Sequence, residues 1–147
     1  MSDQATNKTE VFSLYQISCV EGRYLEEVCK KQCEITSSYT LDDVCDFILE
    51  KFKFDNDHMH NFYIGGRSRG GTQDIKEEEE QNITLNSIFP LEKNYYLFMR
   101  FDYGDDWLFK ISRTRVGIKI DSSKKYPRVI KTIGKNPKQY PLCPPVG

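Results

Sequence analysis

The sequence predicts an α+β fold: a single mixed β-sheet with one main helix packed across it, and an irregular basic extension at the C-terminal end. Three observations carry this. Leu41, Val44, Cys45, Ile48 and Phe52 recur at helical spacing and make one apolar stripe. Several other runs are rich in β-branched and aromatic residues, as strands are. Arg100-Phe101-Asp102-Tyr103-Gly104-Asp105-Asp106-Trp107 sets three carboxylates and a glycine between two apolar runs. Aspartate and glycine there fit a tight turn with φ > 0, so the stretch reads as a β-hairpin.

Residues 1–10 carry no apolar signal core and read as a disordered leader, and residues 11–147 as a single domain. Val11 to Val20 reads as a strand. Tyr24 to Ile35 is ambiguous; Cys29, Lys31, Cys33 and Ile35 alternate, which favours a strand for its second half. The helix follows, with Thr40 as its cap and Asp43 answering three residues on as in a capping box. Asp42 and Asp43 suit the positive end of the helix dipole, and the helix should stop near Lys53. Phe62-Tyr63-Ile64 is strand-like, and the glycines at 65, 66, 70 and 71 punctuate its exit. Residues 72–82 hold Glu77-Glu78-Glu79-Glu80 and almost nothing apolar, and read as an acidic flexible loop. Ile83 to Phe89 suggests a strand end and one helical turn stopped by Pro90. Residues 117–147, with five prolines, read as an irregular extension lying along the domain. This order of elements is compatible with a β-grasp (ubiquitin-like) core.

A length of 147 residues suits one domain with a real core. No apolar run approaches the roughly 20 residues that span a bilayer, which argues against a membrane partner. The five cysteines are odd in number and contain no CxxC, so an intracellular, cytoplasmic chain with reduced thiols is the simplest reading. The net charge of -1 conceals an asymmetry. Residues 110–147 hold ten bases and one acid, and the rest hold eleven bases and twenty-one acids. Mutual neutralisation on packing outweighs the sharper reading, a basic arm that meets phosphates or an acidic partner.

Two groups of residues invite chemistry. His58 and His60 stand beside Asp55 and Asp57, and Asp102, Asp105 and Asp106 crowd the hairpin. His58, His60, Asp102 and Asp105 are the candidate ligands of a divalent metal. Ordinary turn building outweighs this, because short Asp/Asn-rich links are normally turns. Trp107 is the lone tryptophan and reads as core rather than as a stacking surface. The run Gly65-Gly66-Arg67-Ser68-Arg69-Gly70-Gly71 lacks the phosphate-loop pattern. No cofactor motif is present.

Taken together, the Thr40-Leu41 helix start, Asp55-Asn56-Asp57-His58-Met59-His60-Asn61-Phe62, Phe101 to Trp107 and Tyr126-Pro127-Arg128 resemble, in order and spacing, the plasmid pRi open-reading-frame-three-like family. That family is also labelled an insertion-element passenger, TnpR-like. The resemblance covers roughly residues 11 to 145. It implies a compact α+β domain with a β-grasp-like core and no characterised activity. Family members carry a histidine where this chain has Phe109, and acids after the prolines where it has Val146-Gly147. A family site built on those groups would be lost here, and Glu77 to Glu80 looks like a local insertion.

The expected function is a non-enzymatic intracellular binding or adaptor domain for a protein partner. Its candidate face comprises His58, His60, Asp102, Asp105, Asp106, Trp107 and Arg128. A divalent-metal-dependent hydrolase or nuclease-like protein, or its remnant, on the histidines and the hairpin acids is the alternative. Nucleic-acid binding through the basic arm is a weaker one.

Overall fold

The computed structural model describes residues 11–66 and 73–141. The leader, the arginines of the glycine-rich run at 67–71, Cys143 and the last two prolines lie outside the described residues.

Seven strands form one sheet: β1 (Phe12–Glu21), β2 (Cys29–Thr36), β3 (His60–Gly65), β4 (Gln73–Ile75), β5 (Tyr96–Phe101), β6 (Trp107–Arg115) and β7 (Arg128–Ile133). Their spatial order is β4-β3-β5-β6-β1-β2-β7. Every pairing is antiparallel. The expectation of a mixed sheet on a β-grasp core is therefore wrong. In a β-grasp, a strand returning after the helix runs parallel to the first strand. Here β1 is flanked by β2 and β6, both antiparallel to it, and β3 lies beyond β5. The architecture is mostly antiparallel sheet, and α+β describes it only loosely.

Helix α1 (Leu41–Lys51) is the main helix. Thr40 Oγ1 accepts from Asp43 N at 3.2 Å, and Asp43 Oδ2 accepts from Thr40 N at 3.0 Å, closing the expected capping box. Its far end is a Schellman turn. Lys53 takes φ 62°, while Lys53 N donates to Glu50 O at 3.1 Å and Phe54 N to Leu49 O at 2.8 Å. The turn delivers Phe54 into the core, where its ring meets Trp107 at 4.9 Å and Phe109 at 5.8 Å.

Where an acidic loop and an irregular tail were expected, the chain is more ordered. Gln73–Ile75 pairs with β3 as β4, and a 3-10 helix, η1, spans Glu77–Asn82. The single turn α2 (Leu85–Ile88) is capped by Thr84. In the basic extension, Arg128–Ile133 adds β7 to the edge of β2. The prolines around that run hid a stretch of β-branched residues suited to a strand.

The alternation of the strands sorts the side chains. Tyr15, Ile17, Cys19, Cys33, Ile35, Leu97, Met99, Phe101, Phe109 and Ile111 are buried with the apolar stripe of α1 in the main core. Trp107 is fully buried there, as expected, and its Nε1 has no hydrogen-bond partner among the described residues. The indole lies so close to Gly22 that a Cβ at that position would overlap Cε3, Cζ3 and Cδ2. Gly22→Ala should therefore destabilise the fold by about 1–3 kcal/mol, the usual cost of overpacking. Urea unfolding checks this; an unchanged midpoint would show that the indole yields freely.

Candidate functional site

Strands β5 and β6 meet at the turn Asp102 to Asp106. The left-handed residues there are Asp102 (φ 63°) and Asp106 (φ 58°), not Gly104. Aspartate tolerates that conformation because its short side chain can bond locally. Asp102 Oδ1 accepts from the amides of Gly104 at 3.1 Å and Asp105 at 3.2 Å. Its other oxygen, Oδ2, faces His58 Nε2 at 3.4 Å. One carboxylate thus shapes the turn and meets the imidazole.

His58 lies in the link before β3. Its Nε2 is also 2.9 Å from the Tyr140 hydroxyl. Tyr140 donates its own proton to Asp57 Oδ2 at 2.7 Å, so His58 must offer N–H at Nε2. That bond holds the Tyr140 hydroxyl proton well above its ordinary pKa, with partial burial adding to the effect. Gln139 secures the link beside it. Its Oε1 accepts from Asp55 N at 2.6 Å, and its Nε2 donates to Asp55 O at 3.2 Å and Asp57 Oδ1 at 3.1 Å. Gln139 and Tyr140 therefore clasp the C-terminal segment to the Asp55–His58 turn.

The structure divides the remaining candidate residues. His60 does not join His58; its Nε2 meets Glu80 Oε1 at 2.8 Å. Asp105 pairs with Arg23 at 3.7 Å, and Asp106 Oδ1 accepts from Arg100 Nε at 2.6 Å. Trp107 is core. Arg128 sits at the other end of the sheet, where Glu34 Oε1 accepts from its Nε at 2.7 Å. Of the four expected metal ligands, His58 and Asp102 therefore face each other, while His60 and Asp105 turn to Glu80 and Arg23. Among the described residues no group of three or more His, Cys, Asp or Glu is placed to hold a metal ion. The described cysteines are buried and free. Burial pushes the Cys33 and Cys45 thiols up to about 12, so neither is a ready nucleophile.

Among the described residues, Arg23 and Arg100 rather than bases of the arm pair with the tip acids Asp105 and Asp106. The arm's own bases meet acids of β2 and the loop before it. Arg128 pairs with Glu34, and Lys135 reaches Glu26 at 3.8 Å. The residues that sequence reasoning missed are Gln139, Tyr140 and Glu80. The first two follow an irregular, proline-rich stretch, and nothing in their spacing points to Asp55 or Asp57. Glu80 was hidden inside a run of four identical residues.

The observed core carries a family's signature. A model of the plasmid pRiA4b ORF-3-like proteins matches residues 21–139. The chain belongs to the plasmid pRiA4b ORF-3-like family. Among curated proteins, none matches it. Of solved structures, a protein of unknown function, MM3350 from Methanosarcina mazei Go1, superposes with a TM-score of 0.68 at 19% identity. The match covers 84% of this chain and 70% of that one. It establishes a shared fold for this ORF-3-like chain. The tip turn, the His58 link and Gln139 all fall inside the matched family region.

Glu80 yields a prediction of its own. It is fully buried, its Oε2 has no hydrogen-bond partner among the described residues, and burial raises its pKa above the ordinary 4.5 despite the opposing pull of His60. Between 4.5 and that raised value the folded state holds a proton that the unfolded chain has released. Stability contributed by this group is therefore full at or below 4.5 and is lost as pH rises through the raised value. In Glu80→Gln, urea titrations across that range should show a flatter stability profile than wild type. Parallel profiles would mean that Glu80 ionises like an exposed carboxylate.

Proposed function

We propose that this chain is a non-catalytic binding module, an adaptor that takes a protein partner at the clasped hairpin tip. One observation carries the reading: exposed side chains suited to an interface surround a pinned imidazole. Met59 is 66% exposed, Tyr103 43% and Tyr140 39%. The Arg100 guanidinium lies over the Tyr103 ring at 4.8 Å. Met, Tyr and Arg are the residue types enriched at protein interfaces. The backbone beneath them is tied: Asp102 N donates to Met59 O at 2.9 Å, and Arg23 N to Asp105 O at 2.9 Å. A preorganised loop loses little entropy on binding. With Nε2 engaged as a donor, Nδ1 is the His58 ring nitrogen left to face an outside group.

The hydrolase or nuclease alternative has weaker support, because only His58 and Asp102 of its ligands meet, while His60, Asp105 and Asp106 turn to other partners. The basic arm has weaker support as an independent nucleic-acid site, because Arg128 and Lys135 are engaged within the chain. Buried, unpaired thiols accord with a reducing, cytoplasmic setting. Among the described residues no helix is long and apolar enough to cross a membrane.

Affinity capture from the native host lysate tests the reading. A partner held by wild type should be weakened at least about tenfold, or about 1.4 kcal/mol, by Met59→Asp with Tyr103→Ser. Equal capture by both proteins, or turnover of a small substrate that needs His58, would overturn it.

A further inference from the structure

Among the described residues, no helix packs on one face of the sheet. The helices α1 and α2 pack on the face that holds Tyr15, Ile17 and Phe109, and Glu80 of η1 meets His60 there. On the opposite face the registers align one row across six strands: Tyr63, Phe98, Lys110, Ser18, Lys30 and Ile133. The next row places Gln16, Gln32 and Lys131 side by side. Adjacent strands lie about 4.8 Å apart, so Lys110 and Lys30, two strands removed, stand about 10 Å apart.

The charge on this face is one-sided away from the tip. Glu34 is matched by Arg128 at 2.7 Å. Glu21 and Asp106 lie at the tip end, and Asp74 lies on the edge strand β4. Lys30 and Lys131 are exposed and form no ion pair among the described residues. The arm extends the positive region, because Tyr126 packs on Phe12 of β1 at 5.2 Å. That contact and the bond from Ile118 N to Phe12 O at 2.8 Å hold the segment carrying exposed Lys119, Lys124 and Lys125 beside the start of β1, and Asp121 is the only acid of that segment.

Aromatic side chains complete the pattern. Tyr63 and Phe98 stack at 5.1 Å with 20° between their planes and are buried. Tyr96 stands edge-on to Phe98 at 6.2 Å, is only half-buried, and carries Lys110 Nζ 4.5 Å from its ring centre. A ring beside a line of lysines matches a ligand that has both a charged backbone and bare π faces. An acidic peptide has the charge without the bases, and a duplex keeps its base faces stacked away. We infer that this open face binds single-stranded nucleic acid, with its backbone on Lys110, Lys30 and Lys131 and a base against Tyr96. The site is separate from the hairpin tip and does not rest on the reading given for it.

Fluorescence anisotropy of the full chain with a labelled oligothymidylate tests this. Three phosphate contacts predict a log–log salt slope near about -2, or roughly a tenfold to twentyfold loss between about 50 and about 200 mM salt. Lys30→Glu with Lys131→Glu should reduce that slope by about 1.4 and weaken binding at least roughly tenfold. Tyr96→Leu keeps the apolar volume but removes the stacking face, and should cost roughly tenfold. Circular dichroism on each variant reports whether the sheet persists. No binding at low salt, unchanged affinity in folded Tyr96→Leu, or equal competition by duplex DNA or polyglutamate would each overturn the inference.

Discussion

Strand β1 is paired along both of its edges, and this double pairing constrains the whole molecule. Its register with β2 runs unbroken from Phe12↔Thr36 to Cys19↔Cys29. Its register with β6 shifts at both ends, between Leu14 and Tyr15 and between Cys19 and Glu21. Because side chains alternate, a slip by one residue would turn Tyr15, Ile17 and Cys19 to solvent and bury Gln16. The second shift lies beside Gly22, where the Trp107 indole leaves no space for a side chain. The irregularity thus falls where β1 gives way to the close approach of Gly22 and Trp107.

The electrostatics are local, although the sequence divides its charge by halves. Each tip acid meets a near neighbour in the fold: Asp105 with Arg23, Asp106 with Arg100, and Asp102 with two backbone amides and His58. Such exposed pairs are worth little individually. Their value at the tip is geometric, since they hold two left-handed aspartates in one conformation. The arm is anchored differently, through β7 pairing, the Arg128–Glu34 contact and the Gln139 clasp. Its remaining lysines are left on the surface, which is why the open face gains its charge.

Much of the local structure was legible in the residues. Thr40 and Asp43 announced the start of the helix, and Pro90 marked the stop after α2. The hairpin was visible in its two apolar runs, and Trp107 was read as core. These signals act within a few residues of each other. The strand order was not legible, because β1 finds β6 about ninety residues away through pairing that no local pattern encodes. The same limit hid Gln139, whose partners lie 82 and 84 residues upstream. Aspartate and glycine were both expected to suit a left-handed turn; aspartate alone takes that conformation at the tip, where the Asp102 carboxylate also satisfies the turn amides.

The two histidines show why a convincing motif dissolved. An extended backbone would place residues two apart on one face, and a His-x-His pair would then converge. His60 opens β3 and obeys the pleat: it shares the core face with Phe62, its ring 5.6 Å from that neighbour, and is drawn to buried Glu80. His58 precedes the strand, so the pleat does not govern it, and it turns toward Asp102 and Tyr140 instead. The boundary between link and strand therefore separates them into two environments. One imidazole is a half-buried partner of Glu80 in η1. The other is an exposed ring fixed at one nitrogen, a geometry that suits recognition better than metal binding, for which ligands must converge on a single point.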